Sequence, residues 1–292
     1  MIPLFSGLTV AAITASAMKG AASPGDSFDV AGQAILDWTL PFALAFFGVF
    51  LLALIAYLSL RVKKDSIDHI NYSLRKFWDG VFKEAEGEKI TAESLSFLDS
   101  LNPFLLEVNK AGKRIIDVGC GGGEMLMQMA FLDKEKTHYY LGLDQSSQAL
   151  RVASETAKLS GLDNLGFVQG GLQTLEKLPS ASFDGGMTSN FLDVIPEETA
   201  KDFIAQLARI IKSDGLLMVK LNFVVDEAHR KQVKGIVDQN GNIYINGILR
   251  TTNKPTDYWE SLFSDSFLLV SKGGYQRVSG QPEDRVFLLK RK

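Results

Sequence analysis

The sequence predicts an α/β domain on a doubly wound, mostly parallel seven-stranded sheet, preceded by an N-terminal transmembrane helix. Three observations carry this reading: an uncharged apolar run from Trp38 to Leu60, a regular alternation of short apolar strands with helices after Lys113, and a glycine cluster between the first strand and its helix. Charge is unevenly spread over the 292 residues, with almost none before Arg61. The chain beyond Arg61 is long enough to bury one sizeable core.

The run 38–60 reaches roughly 34 Å as a helix, against a hydrocarbon core of about 30 Å. It is apolar all round. Trp38 and Tyr57 stand near its ends, where amphipathic rings favour the interface, and Pro41 falls in the first turn. Arg61, Lys63 and Lys64 come directly after it, whereas Asp26, Asp29 and Asp37 precede it. The positive-inside tendency therefore places everything after Arg61 in the cytoplasm. Residues 1–37 form an apolar segment and an extracytoplasmic loop. For Ile2 to Met18 two readings stay open: a weak first span, giving two passes instead of one, or a signal-peptide hydrophobic region ending at Ala15-Ser16-Ala17. The missing basic flank favours the first.

Residues 61–112 read as a juxtamembrane helical region. Ile67, Ile70, Leu74, Phe77, Trp78, Val81 and Phe82 recur at three- and four-residue steps, the mark of an amphipathic helix. Such a helix either covers the edge of the core, roofs a pocket or lies on the bilayer. The α/β domain is expected over 113–292, with an insertion at 222–254. Strands are expected at Arg114–Val118, Tyr139–Leu143, Leu165–Gln169, Phe183–Thr188 and Leu216–Leu221. Helices are expected at Glu124–Leu132, Ser147–Ser160 and Glu197–Ile211. This alternation implies parallel strands joined by crossover helices. In the insertion, Asn240-Gly241 suits a type I′ hairpin turn over the mouth of a site. A helix at Thr256–Phe263 and strands near Phe267–Ser271 and Arg285–Leu289 complete the chain, with Pro282-Glu283-Asp284 as the last turn.

Net charge is −3, with both signs intermixed and no basic stripe, which argues against nucleic acid as a partner. The single cysteine, Cys120, excludes an intrachain disulfide. His69, His138 and His229 are far apart, and no metal-ligand spacing is present.

The chemistry is concentrated in Asp117-Val118-Gly119-Cys120-Gly121-Gly122-Gly123-Glu124. Glycines between a strand and a helix let the backbone turn sharply and approach a ligand, at the usual ligand position of a parallel sheet. A dinucleotide fingerprint would need glycine at 124, where Glu124 would repel a pyrophosphate. Asp144 ends the next strand, where a carboxylate can accept both hydroxyl hydrogens of a ribose. It could equally cap the following helix.

Together with Leu141-Gly142-Leu143-Asp144-Gln145-Ser146, Phe167-Val168-Gln169-Gly170, Phe183-Asp184, Leu192-Asp193-Val194-Ile195-Pro196 and the stretch Leu207 to Leu217, this loop resembles the class I S-adenosylmethionine-dependent methyltransferases, in particular their small-molecule and quinone-type members. The resemblance covers Lys113 to Leu221. It implies a Rossmann-like methyltransferase fold with S-adenosyl-L-methionine as cofactor. Asp117, Gly119, Cys120, Gly121 and Gly123 would hold the methionine part, with Asp117 near its ammonium. Asp144 would bind the ribose, Gln145 and Ser146 would lie beside the adenine, and Asn190 and Phe191 would face the reacting methyl. Many relatives carry an acidic residue where Gly171 stands, so adenine recognition would fall to Gly171, Leu172 or Gln173.

A general base is needed only if the acceptor must lose a proton. Asp193 and His229 are the candidates by position, although Asp193 could cap the helix after Pro196 and His229 stands in a charged, solvated stretch. The tethering helix points to a lipophilic acceptor delivered by the bilayer. A soluble small molecule, a protein acceptor and a non-catalytic membrane scaffold are the competing readings.

Overall fold

The computed structural model describes residues 27–277 and 280–292. The segment Ile2–Met18 lies outside the described residues. The chain divides into two compact units after Lys63.

The first described element is one helix, Ser27–Phe82. It contains both the apolar run 38–60 and the amphipathic stretch that follows it. No proline or glycine stands between Leu60 and Phe82 except Gly80, so nothing breaks the helix at the basic cluster Arg61–Lys64. Among the described residues, its portion Leu44–Phe82 is long and apolar enough to cross a membrane by length and composition, with a mean hydropathy of 2.1 and no burial over its most apolar window.

The second unit carries the strands β1 Arg114–Val118, β2 Tyr139–Asp144, β3 Leu165–Gln169, β4 Phe183–Ser189 and β5 Ile211–Leu221. After them come β6 Ile236–Val237, β7 Asn242–Ile245, β8 Ile248–Thr252, β9 Phe267–Tyr275 and β10 Asp284–Arg291. Seven of these form one sheet in the order β3-β2-β1-β4-β5-β10-β9. The first five strands run parallel, and β10 pairs antiparallel with β5 and β9. The connections include the helices Glu124–Leu132, Ser147–Leu159, Leu172–Lys177, Glu197–Ile210 and Thr256–Ser264. Ser146 caps Ser147–Leu159 by accepting from the Ala149 amide, so Asp144 does not serve as that cap.

Strands covered on both faces read as near-continuous apolar runs, and successive residues alternate between two cores. Ile116, Leu217, Val219, Phe287 and Leu289 pack with Phe203, Leu207 and Trp259 on one face. Ile115, Met187, Met218, Val286 and Leu288 pack on the other with Leu101, Leu105, Leu126 and Ala153. The second face also holds the 3₁₀-helix Glu93–Leu101 and the helix Asn102–Lys110. Gly185 in β4 permits this: a Cβ there would meet Val108 Cγ1 and the Leu216 carbonyl at 3.1 Å.

Two local expectations change. β5 begins at Ile211, directly after its helix, and accommodates Asp214 at φ +66 through a register shift opposite Phe183–Gly185. The insertion forms a short helix, Glu227–Gln232, and a separate sheet of β6, β7 and β8. The turn with two consecutive positive φ values, as type I′ requires, is Asn246-Gly247 (φ +51 and +76). At Asn240-Gly241 only the glycine is left-handed, and Asp238 organises that loop by accepting from the Asn240 and Asn242 amides.

Candidate active site

The strand order reverses between β1 and β4, which opens a crevice at the carboxyl ends of the parallel strands. A cavity of about 510 Å³ lies there. Asp117 stands two residues after Ile115, Lys220 two after Met218, and Asp284 two before Val286. All three therefore lie on the sheet face of the second core. Across the strands, Asp117 registers with Met187, and Ser189 with Lys220. A row of polar groups thus crosses the sheet from β1 to β10 at the end where the crevice opens.

At the β1 end, Asp117 is buried, and its Oδ1 has no hydrogen-bond partner among the described residues. Burial raises its carboxyl well above the usual range, and the nearby carboxylates of Asp144 and Glu124 raise it further. Gly119 and Gly121 turn the loop at positive φ. Asp144 Oδ2 accepts from the Gly121 amide at 2.9 Å and Oδ1 from the Ser146 amide at 2.8 Å. Burial raises this carboxyl too, with those two amides opposing. With the Gln145 amide also directed at it, the carboxylate keeps acceptor capacity for a ligand hydroxyl. Burial also pushes the Cys120 thiol up, so it is a poor nucleophile.

Two carboxylates, Asp144 and Glu124, beside the orphaned acceptor of Asp117, with an open backbone turn next to them, form a site for a cation that also carries hydroxyl donors. S-adenosylmethionine, with its ammonium, sulfonium and ribose diol, fits that donor set. Among the residues expected at the cofactor, the structure brings Asp117, Gly119, Cys120, Gly121, Asp144, Gln145, Ser146, Asn190 and Phe191 to the cavity wall. Gly123, Gly171 and Leu172 do not line it. Gly123 is the left-handed cap of Glu124–Leu132 and packs under Phe167. Gly171 sits behind Gln145, whose amide nitrogen would be 2.6 Å from an added Cβ. Substituting Gly171 would push on the wall residue Gln145.

Gly119 has φ +77, and a Cβ there would fall 2.4 Å from the Phe191 ring. Gly119→Ala is expected to destabilise the protein by at least about 1–2 kcal/mol from the backbone alone, and to weaken cofactor binding by displacing Phe191. Chemical denaturation and calorimetric titration with S-adenosylhomocysteine measure the two effects.

Neither candidate base lines the cavity. Asp193 is fully buried, accepts from the Asn222 amide at 2.8 Å and from its side-chain nitrogen at 3.2 Å, and lies 4.0 Å from Arg285. It does not cap the following helix, whose N-terminal residue Pro196 has no side-chain cap. Its chemistry is that of a strut fixing the chain after β5. Burial pushes its carboxyl up to about 6, against the hydrogen bonds from Asn222. A raised carboxyl costs stability once it ionises, so this group's contribution is most favourable below the ordinary carboxylate range and is lost as pH rises to about 6. Thermal unfolding followed from pH 4 to 7 is expected to show wild type losing ground to Asp193→Asn over that window. His229 is in the helix Glu227–Gln232, its ring 5.2 Å from that of Phe223. The insertion reaches the cavity only through Asn222 and Phe223. Its β8 strand instead packs behind the site, where Thr252 donates to the Ile195 carbonyl and Leu249 enters the core.

The remaining wall comes from residues outside the set expected at the cofactor. Asn71, Leu74, Arg75, Trp78 and Phe82, one face of the first helix, line the cavity, and Leu74 also enters the core beside Ile70. Asp79 on that helix accepts from the Ser146 hydroxyl at 2.8 Å, and Arg151 donates to the Ala85 carbonyl at 2.7 Å. Lys220, Tyr275, Arg277 and Asp284 form the far wall. Lys220 has a signal in the sequence, because a lysine inside an apolar strand covered on both faces needs a reason to be there.

A methyltransferase domain family matches residues 109–256, and the chain belongs to that family. Its seven-stranded sheet is that of the Rossmann-like methyltransferase fold. The chain is 32% identical over 130 residues to a ubiquinone biosynthesis O-methyltransferase of Xanthomonas oryzae pv. oryzae, covering 42% of this chain and 50% of that protein. It is 28% identical over 161 residues to the mitochondrial ubiquinone biosynthesis O-methyltransferase of Schizosaccharomyces pombe, covering 54% of this chain and 55% of that one. The chain thus spans about half the length of the curated relatives it matches. Among solved structures it resembles the 1,6-didemethyltoxoflavin-N1-methyltransferase of Burkholderia thailandensis, with TM-score 0.57 and 16% identity over 77% of this chain and 90% of that one. It also resembles a SAM-dependent methyltransferase of Methanosarcina mazei, with TM-score 0.52 and 17% identity over 65% and 97% of the two chains. At these identities the likeness is one of fold.

Proposed function

We propose that the protein methylates a hydroxyl oxygen of a flat, lipophilic small molecule at the cytoplasmic face of a membrane. The observation that carries this is the continuity of one cavity from the carboxylates of the glycine loop to a wall rich in aromatic rings: Trp78, Phe82, Phe97, Phe191, Phe223 and Tyr275. Such rings suit an apolar, planar guest, with a few polar groups fixing its orientation. The O-methyltransferase relatives support oxygen as the acceptor atom. The apolar helix, with its basic residues after Leu60, supports a membrane setting that raises the local concentration of a lipophilic acceptor.

Bound S-adenosylmethionine supplies a methyl group already activated by its sulfonium. The protein's own residues bind, align and dehydrate. Asp117 takes the ammonium, Asp144 the ribose hydroxyls, and Gln145 and Ser146 flank the adenine. Asn190 and Phe191, at the end of β4, hold the acceptor in line, and the helix face Asn71–Phe82 excludes water. Orientation of this kind can supply several kcal/mol of the barrier.

The full chain in vesicles, incubated with methyl-tritiated cofactor and an extract of its host's membrane lipids, tests the reading. Label is expected in an organic-extractable product. Label confined to water-soluble material or to protein would overturn the lipophilic acceptor.

A further inference from the structure

The two ends of the cavity carry opposite charge. The cofactor end gathers Asp117, Glu124 and Asp144. At the other end Lys220 is buried at the end of β5, with its ammonium 2.9 Å from Asp284 Oδ2, bonded to Asn190 Oδ1, and 4.9 Å from the centre of the Tyr275 ring. Asp284 is itself held by the Phe223 amide at 3.1 Å and by the Asn190 side chain at 3.3 Å. Arg277 lines the same wall, its guanidinium 5.4 Å from the centre of the Phe97 ring. Arg285 and Asp193 lie behind, each felt by its neighbours across Asn222. The charged groups felt by Lys220 are Asp284, Asp193 and Arg277, and Arg285 pairs with Asp193 and Asp284 behind them, so the five side chains together carry one positive charge in excess.

We propose that Lys220, assisted by Arg277, holds the acceptor's reacting oxygen as an oxyanion, which selects an acidic hydroxyl of the phenol or enol class over an amine or an aliphatic alcohol. An ammonium has three donors; two are directed at Asp284 and Asn190, and the third is available to the cavity. Burial lowers the lysine's affinity for its proton, and Asp284 opposes that. An incoming anion completes the charge balance that Asp284 begins. An amine would gain nothing from a second cation, and a neutral alcohol would not be ionised by one. The position also suits the reaction. Asn190 touches both Lys220 and the cavity, and Lys220 lies two strands from Asp117, about 10 Å across the sheet, so a donor held at Asp117 and an acceptor held at Lys220 would share one cavity. The acceptor's proton leaves to bulk water on binding. Its oxygen lone pair forms the new O–CH₃ bond as the C–S bond breaks, and that electron pair stays on sulfur, so the oxyanion and sulfonium charges cancel.

This inference rests on the proposed methyl transfer to oxygen, and its test separates the two. The probe is 4-nitrocatechol, whose absorbance reports its ionisation, titrated with pH against the full chain saturated with S-adenosylhomocysteine. Wild type is expected to lower the probe's ionisation midpoint by about one pH unit or more. Lys220→Met abolishes the shift, Lys220→Arg retains it, and the exposed-site variant Arg277→Gln reduces it. Calorimetry is expected to give all three variants wild-type affinity for S-adenosylhomocysteine. An unchanged midpoint in Lys220→Met, or in Arg277→Gln should the first variant unfold, overturns the oxyanion role while leaving methyl transfer standing. Failure of wild type to bind S-adenosylhomocysteine would instead remove the underlying reading.

Discussion

Asp117→Asn is expected to cost on the order of 100-fold or more in affinity for S-adenosylmethionine, while making the ligand-free protein more stable. Both effects follow from one carboxylate. Its Oδ1 is buried without a hydrogen-bond partner among the described residues, and burial together with Asp144 and Glu124 raises its proton affinity well above normal. An ion held in that state destabilises the fold, and it becomes favourable only when a ligand cation arrives. The asparagine keeps the shape and removes the charge. Losing one partner of a buried charge pair costs about 2–5 kcal/mol of binding. Relief of the buried charge is expected to raise the melting temperature of the ligand-free protein by roughly 2–4 °C for each kcal/mol recovered. The sign of the pH dependence is also set. With a raised carboxyl, the folded protein binds more protons than the unfolded chain above the ordinary carboxylate range, so wild-type stability falls as pH rises from there. Asp117→Asn lacks that fall. Differential scanning calorimetry across pH 4–8, with and without S-adenosylhomocysteine, reads both effects. A variant that lost stability at neutral pH while binding normally would remove Asp117 from the site.

Asp144→Ala is expected to lose both cofactor affinity and loop order. Its two oxygens hold the amides of Gly121 and Ser146, which fix the glycine turn against the start of the following helix. Alanine leaves both amides without their acceptor, at about 1–3 kcal/mol for each one that stays buried. The proposed ribose contacts go with them, so affinity should drop on the order of 100-fold to 1000-fold. Hydrogen exchange at Gly121 and Ser146 separates the loop effect from the lost ribose contact. Asp144→Asn keeps one acceptor oxygen and is expected to fall between wild type and alanine on both readouts.

The parallel half of the sheet is legible in the sequence because its signals are local. The expected β1, β3 and the helix Glu124–Leu132 occur with those bounds. Each is a short apolar run or amphipathic period ended by glycine, a polar residue or a cap. The hairpin expected around Asn240-Gly241 forms between β6 and β7, but its turn is not type I′, because Asp238 captures the amides around Asn240; the turn with two positive φ values is Asn246-Gly247, which joins β7 to β8.

The amino-acid sequence by itself determined the fold family, the glycine turn, Asp144 at the end of the second strand and an apolar helix long enough to cross a bilayer. Each of these is written within a few neighbouring residues, where backbone freedom, periodicity and strand-end chemistry leave few alternatives. Only the tertiary structure decided what faces the methyl donor across the cavity. Lys220, Tyr275, Arg277 and Asp284 come from β5, from the end of β9 and from the start of β10, while another part of the wall comes from a helix that ends more than a hundred residues earlier. Strand order brings these together, and it also turns Asp193 inward, away from the cavity, to hold Asn222. Burial and charge pairing among groups so far apart in sequence are set by which strands become neighbours, a property of the folded sheet that no local run of residues contains.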